Sequence, residues 1–297
     1  MKKSAIILLA SLALSALASC KVTSTSDALV LSAIDGLSLP TYTLKDGVYT
    51  FPLSGSSKEG VKLSGSLKEG SIVIDPGSLS DNKSFEIDLS NVSISSSSAY
   101  PIYYGSKASK LIVKAVDGTT NSLTYSGNED KGAALYSENN LEIEGNGSLS
   151  LTTTKAGHGA RGDDLVLLDA PSLALSAIHD GFHGKTFTAS SFSGSATIAN
   201  SGSEAFDICD NDETGTVCKG AITFGASTGQ FTIGQCVDVF EADNSFSIPS
   251  GVSIVAEKCS SDPVTNLNAN AINVAVEGTF KVNGAALTSY SVATKAS

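Results

Sequence analysis

Ala134-Leu135-Tyr136-Ser137, then Leu141-Glu142-Ile143, then Leu149-Ser150-Leu151: three short blocks alternate apolar with polar residues, and turn residues separate them. The pattern returns as Gly159-Ala160-Arg161-Gly162, Leu165-Val166-Leu167 and Leu173-Ala174-Leu175. It returns again as Gly181-Phe182-His183-Gly184, Phe187 and Ala196-Thr197-Ile198. Further copies begin at Ala205-Phe206-Asp207 and Val239-Phe240-Glu241-Ala242. Between the apolar anchors Leu135, Ala160, Phe182, Phe206 and Phe240 the steps are 25, 22, 24 and 34 residues. The long step holds the polar loop Asp210 to Val217 between Cys209 and Cys218, so it reads as a normal coil with an insertion. Period-2 alternation marks half-buried strands, and a 22–25-residue repeat of such strands predicts an all-β solenoid, a parallel β-helix. A propeller blade needs about 40 residues, and helical repeats would show a helical period.

Each coil then has three short strands around a flattened interior. Equivalent strands of successive coils pair in parallel about 4.8 Å apart. The five anchors stack inside as one ladder, with Ile102 as an earlier rung. Val61-Lys62-Leu63, Ile72-Val73-Ile74 and Phe85 to Leu89 also alternate and read as irregular first coils. Ala271 to Val276 and Phe280 to Val282 finish or cap the stack. Capping is expected because an open sheet edge invites pairing with other chains. The expectation is one continuous domain over 28–297.

Composition agrees. Of 297 residues, 41 % are hydrophobic and only 16 % charged, with 28 Gly and no Trp. Such a chain can build a core but is poor material for long helices. The formal net charge of −11 repels a polyanionic backbone, which argues against a nucleic-acid partner.

The N-terminus reads Met1-Lys2-Lys3, an apolar run Ala5 to Ala18, then Ser19-Cys20. This is the plan of a secretory leader, and the run is too short to span a bilayer, which needs about 20 residues. Leu17-Ala18-Ser19-Cys20 resembles the lipobox of bacterial lipoproteins. That likeness implies a signal peptide over 1–19, a lipidated Cys20, a polar tether over 20–27, and an exported protein lipid-anchored in the bacterial envelope. Several acyl chains, at about 0.8 kcal/mol per buried methylene, give durable anchoring. Cys209, Cys218, Cys236 and Cys259 remain, an even number that suggests disulfides in an exported chain. Closure of the 209–218 loop would leave Cys236 with Cys259.

The residue after each inward anchor must point outward. That column reads Tyr103, Tyr136, Arg161, His183, Asp207, Glu241. Its first four are candidate carbohydrate contacts, because a sugar offers a C–H face to an aromatic plane and a rim of hydroxyls to polar groups. Two residues before the anchor runs Tyr100, Ala133, His158, Asp180, Glu204, Asp238. If Gly159 and Gly181 take positive φ, this column lies at an exposed corner. Asp180, Glu204 and Asp238 on successive coils would then repel one another unless a cation joins them, and Ca²⁺ suits oxygen ligands. The histidines His158, His179 and His183 fall on different columns, which disfavours a zinc site. No G-x-S-x-G nucleophile elbow is present.

The run Lys131 to Gly147, with Gly157-His158-Gly159-Ala160-Arg161-Gly162-Asp163-Asp164-Leu165 and Asp180-Gly181-Phe182-His183-Gly184, resembles bacterial carbohydrate-binding-domain-containing proteins built on a right-handed parallel β-helix. Asp46-Gly47-Val48-Tyr49 and Asp88 to Ile94 are similar to that family's opening strands. The resemblance spans about 45 to 258. It implies a cell-surface protein that binds plant-type polysaccharide, on a fold like that of pectate lyases with bound Ca²⁺. Where the family repeats Asp-Gly-Ile, this chain has Gly157-His158-Gly159-Ala160 and Glu204-Ala205-Phe206, which carries a cation ligand over at Asp180 and more weakly at Glu204 and Asp238. The expected function is non-catalytic polysaccharide binding. The alternatives are a Ca²⁺-dependent polysaccharide lyase and a structural or adhesive surface protein. A lyase needs a base beside a group that neutralises the uronate. Arg161 is the one arginine, and no lysine shares its column.

Overall fold

Every inward position of the repeat needs a partner above and below, and stacked coils supply both. The computed structural model describes residues 28–56, 58–75, 77, 84–105, 110–209, 220–226, 228–266 and 271–292. Among these the chain is a β-solenoid with three faces. The face that carries the candidate site residues is a ten-stranded sheet. From Val48–Pro52 it runs in parallel through Ser71–Asp75, Ile102–Tyr104, Ala133–Ser137, His158–Arg161, Phe182–Gly184, Phe206–Ile208, Phe240–Ala242 and Val264–Asn266. Its inward rungs are in register as Ile72, Ile102, Leu135, Ala160, Phe182, Phe206, Phe240 and Val264. The repeat of 22–25 residues holds between Leu135 and Phe206. The earlier steps are longer, and the longer coils include 78–83, 106–109 and 210–219, which lie outside the described residues.

The other two faces form one sheet of sixteen strands, joined where the long strand Ser84–Ser96 turns a corner. Its first half pairs with Lys110–Ala115 and its second with Thr120–Tyr125. Asn91 sits at the corner with φ 58°, and Gly65 answers it with φ 96° in the partner strand Lys58–Lys68, where the register shifts. A Cβ on Gly65 would lie 2.6 Å from the Ala28 carbonyl oxygen, so glycine is required there on both counts.

One apolar core runs the length of the stack, from Leu29 to Val282. Its centre is aromatic. Phe206 stacks on Phe182 with ring centroids 5.3 Å apart and on Phe240 at 5.0 Å, and all three are fully buried. Antiparallel strands close both ends. Thr43–Lys45 folds on Val48–Pro52 through Asp46-Gly47, and Thr279–Val282 on Ala285–Ala286 through Asn283-Gly284. Both turns carry two residues of positive φ, the form that matches the twist of a tight hairpin. Ser289–Val292 covers the edge of Ile272–Val276.

Candidate functional site

The outward column of the ten-stranded face stands in register as Tyr103, Tyr136, Arg161, His183, Asp207 and Glu241. Its chemistry changes along the stack, aromatic first, then basic, then acidic.

At the aromatic end four tyrosines gather. Tyr100 lies 5.4 Å from Tyr103, 5.4 Å from Tyr125 and 5.1 Å from Tyr136, and Tyr103 lies 5.4 Å from Tyr136. Tyr100 donates its hydroxyl to Glu129 and Tyr103 to Glu138. Burial, then these carboxylates, pushes both phenols above their ordinary pKa, so both stay neutral donors. The Arg161 guanidinium stands 5.1 Å from the centroid of the Tyr136 ring, and its Nη1 donates to the Lys131 carbonyl at 2.5 Å. A groove follows, lined by Tyr136, Glu138, Arg161, Asp163, His183 and Lys185. Lys185 pairs with Asp163 at 3.3 Å. The column alignment missed Lys185 because it lies at the next corner, two residues beyond His183. It missed Tyr100 and Tyr125 as members of the aromatic cluster because they come from other columns.

At the acidic end the structure corrects several expectations. Gly159 and Gly181 are not among the residues with positive φ. They are needed for close approach: a Cβ on either would meet the carbonyl oxygen of Gly181 at 2.6 Å or of Ala205 at 2.7 Å. The column of His158, Asp180, Glu204 and Asp238 therefore turns in against the outward column rather than out at an exposed corner. His158, Asp180 and Asp238 are 6 %, 4 % and 5 % exposed. Asp238 does not join Asp180 and Glu204. Its Oδ2 accepts from Thr265 Oγ1 at 2.6 Å, whereas Asp207 comes together with Asp180 and Glu204, one oxygen of each lying within 4.8 Å of the others.

The histidines, expected apart, are together. His158 and His183 stack with centroids 4.1 Å apart, and His158 Nδ1 lies 2.9 Å and His183 Nδ1 3.1 Å from Asp180 Oδ2. His183 Nδ1 is also 2.9 Å from Asp207 Oδ2. His183, expected to face a sugar, is thus only 8 % exposed and turned toward carboxylates. His179 stands aside, with Nε2 3.4 Å from Asp130 Oδ1. One signal was present in the sequence. The two columns are always three residues apart, as His158 and Arg161, Asp180 and His183, Glu204 and Asp207, Asp238 and Glu241.

Charge is crowded here. Burial pushes the Glu241 carboxyl up to about 8, with Asp207, Glu204, Asp180 and Asp243 adding to it. Burial also raises Glu204 to about 7, opposed by a hydrogen bond from Ser203 and reinforced by Asp180 and Asp207. Burial lowers His158 to about 4. For Asp180 burial works upward, but His158 and His183 outweigh it and hold the carboxyl well below the usual range.

Cys209 is disulfide-bonded, while its expected partner Cys218 lies outside the described residues. Cys236 and Cys259 face each other across paired strands with Sγ atoms 2.6 Å apart. This is the pair expected to bridge. Cys20, the leader over 1–19 and the tether over 20–27 also lie outside the described residues.

The model of a family described as carbohydrate-binding domain-containing protein matches residues 54–295. Among solved structures, the chain is similar to one titled as the polysaccharide lyase-like protein from C. thermocellum, a gadolinium derivative. The match has TM-score 0.61 and 19 % identity, and covers 84 % of this chain and 91 % of that one. No curated protein matches by sequence.

Proposed function

Because the chain belongs to the carbohydrate-binding-domain-containing family, we propose that it is an exported lipoprotein, anchored through Cys20, that binds polysaccharide along its ten-stranded face without cleaving it. The observation that carries this reading is the continuous strip of Tyr100, Tyr103 and Tyr136 with Arg161 stacked on its end. Tyrosine rings offer planes to sugar C–H faces, and the phenol oxygens of Tyr100 and Tyr103, whose protons go to Glu129 and Glu138, can accept from sugar hydroxyls. Arg161 and Lys185 along the groove favour a polymer that carries carboxylates.

A divalent cation at the acidic end belongs to the same reading. Glu204 and Glu241 are driven toward their protonated forms by burial and then by like charge, and a cation would relieve that repulsion. Calcium, expected between coils, suits the oxygen donors of Asp180, Glu204 and Asp207.

Lys185 supports the lyase alternative, since it puts a second basic group beside Arg161. One experiment separates the readings. The purified chain is applied to immobilised neutral and uronate-containing polysaccharides, and absorbance of unsaturated product is followed in parallel. Binding to uronate polymer, reduced about tenfold or more by Tyr136→Ala and by Arg161→Ala with flat absorbance, is the expected result. Rising absorbance that is lost in Lys185→Ala would establish the lyase. Retention of neither polymer would leave a structural or adhesive role.

A further inference from the structure

Two imidazoles stand where an all-oxygen cation site has no use for them. His158 reaches the cluster from one coil, Asp180 and His183 from the next, and Asp207 from the one after. Their facing atoms alternate as nitrogen, oxygen, nitrogen, oxygen, at 2.9, 3.1 and 2.9 Å. His158 is more than nine-tenths buried, and its Nδ1, aimed at Asp180, makes no hydrogen bond there. A buried ring nitrogen without a hydrogen bond is costly unless something else uses it.

The donor set discriminates between ions. Calcium takes oxygen donors. Imidazole suits zinc, copper, nickel and iron.

We infer that His158, Asp180 and His183 form a binding site for a divalent first-row transition metal of the zinc type, and that such an ion, not calcium, is the cation of this groove. The inference rests on the reading that the acidic end holds a cation at all. It places the ion between two consecutive coils, beside the groove that Arg161 and His183 line. His179, whose ring is 5.8 Å from that of His158 and whose Nε2 faces Asp130, is not a ligand.

The full chain, stripped with EDTA and dialysed, is titrated calorimetrically with ZnCl₂ and separately with CaCl₂. CoCl₂ serves as a visible-absorbance probe, and melting curves are recorded with and without each ion. Zinc should bind and raise the melting temperature, cobalt should give a d–d band, and calcium should do neither. His158→Gln and Asp180→Asn should each weaken zinc by more than the roughly 10–100-fold that loss of an outer-shell partner costs, while His179→Gln changes nothing. The wild-type comparison of ions does not depend on whether a variant folds. Calcium binding without zinc binding overturns this inference and leaves the cation reading standing. Binding of neither ion overturns both. Zinc bound equally well by His158→Gln and Asp180→Asn overturns the assignment of the ligands.

Discussion

Glu241 shows how much of this site is decided by one residue's surroundings. Its carboxyl is half-buried beside Asp207, Glu204, Asp180 and Asp243 and is raised from 4.5 to about 8. Between those values the folded chain keeps a proton that the unfolded chain has lost, so stability falls as pH rises through the window. Glu204, raised to about 7, adds to the same fall. His158 works the other way, because its folded value of about 4 lies below 6.5: its contribution is present above pH 6.5 and is lost as pH falls toward 4. Above pH 6.5 the histidine no longer offsets the glutamates. With EDTA present, the melting temperature should therefore drop between pH 6.5 and 8.5, and Glu241→Gln should melt higher than wild type at pH 8.5. Equal melting temperatures there would show that Glu241 is not under charge strain.

Among the elements, the inward strand Phe206–Ile208 carries the sharpest expectation. Phe206 lies between two stacked rings in a core without solvent. Phe206→Ala should cost about 3–5 kcal/mol in a denaturant titration, since the rigid stack cannot collapse into the gap. A loss under about 1 kcal/mol would mean the ladder is not continuous at this rung. The ladder was legible in sequence because a strand has only two faces, so fixing Leu135 as inward also fixes Tyr136 as outward, and the repeat carries both choices from coil to coil. The corners were not legible in the same way. Glycine serves equally where the chain takes positive φ, as at Gly157 with φ 91°, and where another strand's carbonyl crowds it, as at Gly181. Sequence could not separate these uses, and the burial of Asp180 and His158 hung on the difference. Asp238 shows the same limit, because its hydrogen bond to Thr265 depends on a neighbouring coil with no repeat motif of its own.

At the scale of the whole molecule, a stack of coils is stabilised by nearest neighbours, and its two ends are its weak points. Both ends are turned back by antiparallel strands. No helix among the described residues is long and apolar enough to cross a membrane. The proposed attachment is through Cys20. Cys20→Ala should move the protein from the membrane to the soluble fraction with an unchanged melting temperature. Persistence in the membrane fraction would remove the lipid anchor from the account. The outward column has one more consequence. A polysaccharide has two unlike ends, reducing and non-reducing, and every ring along it points the same way. The column is equally vectorial, running from tyrosine through arginine to carboxylate over about 24 Å at one strand spacing per coil. In the proposed binding mode the two senses in which a polymer could lie along it are therefore unequal in energy, so the groove would distinguish which way a chain runs as well as what it is made of.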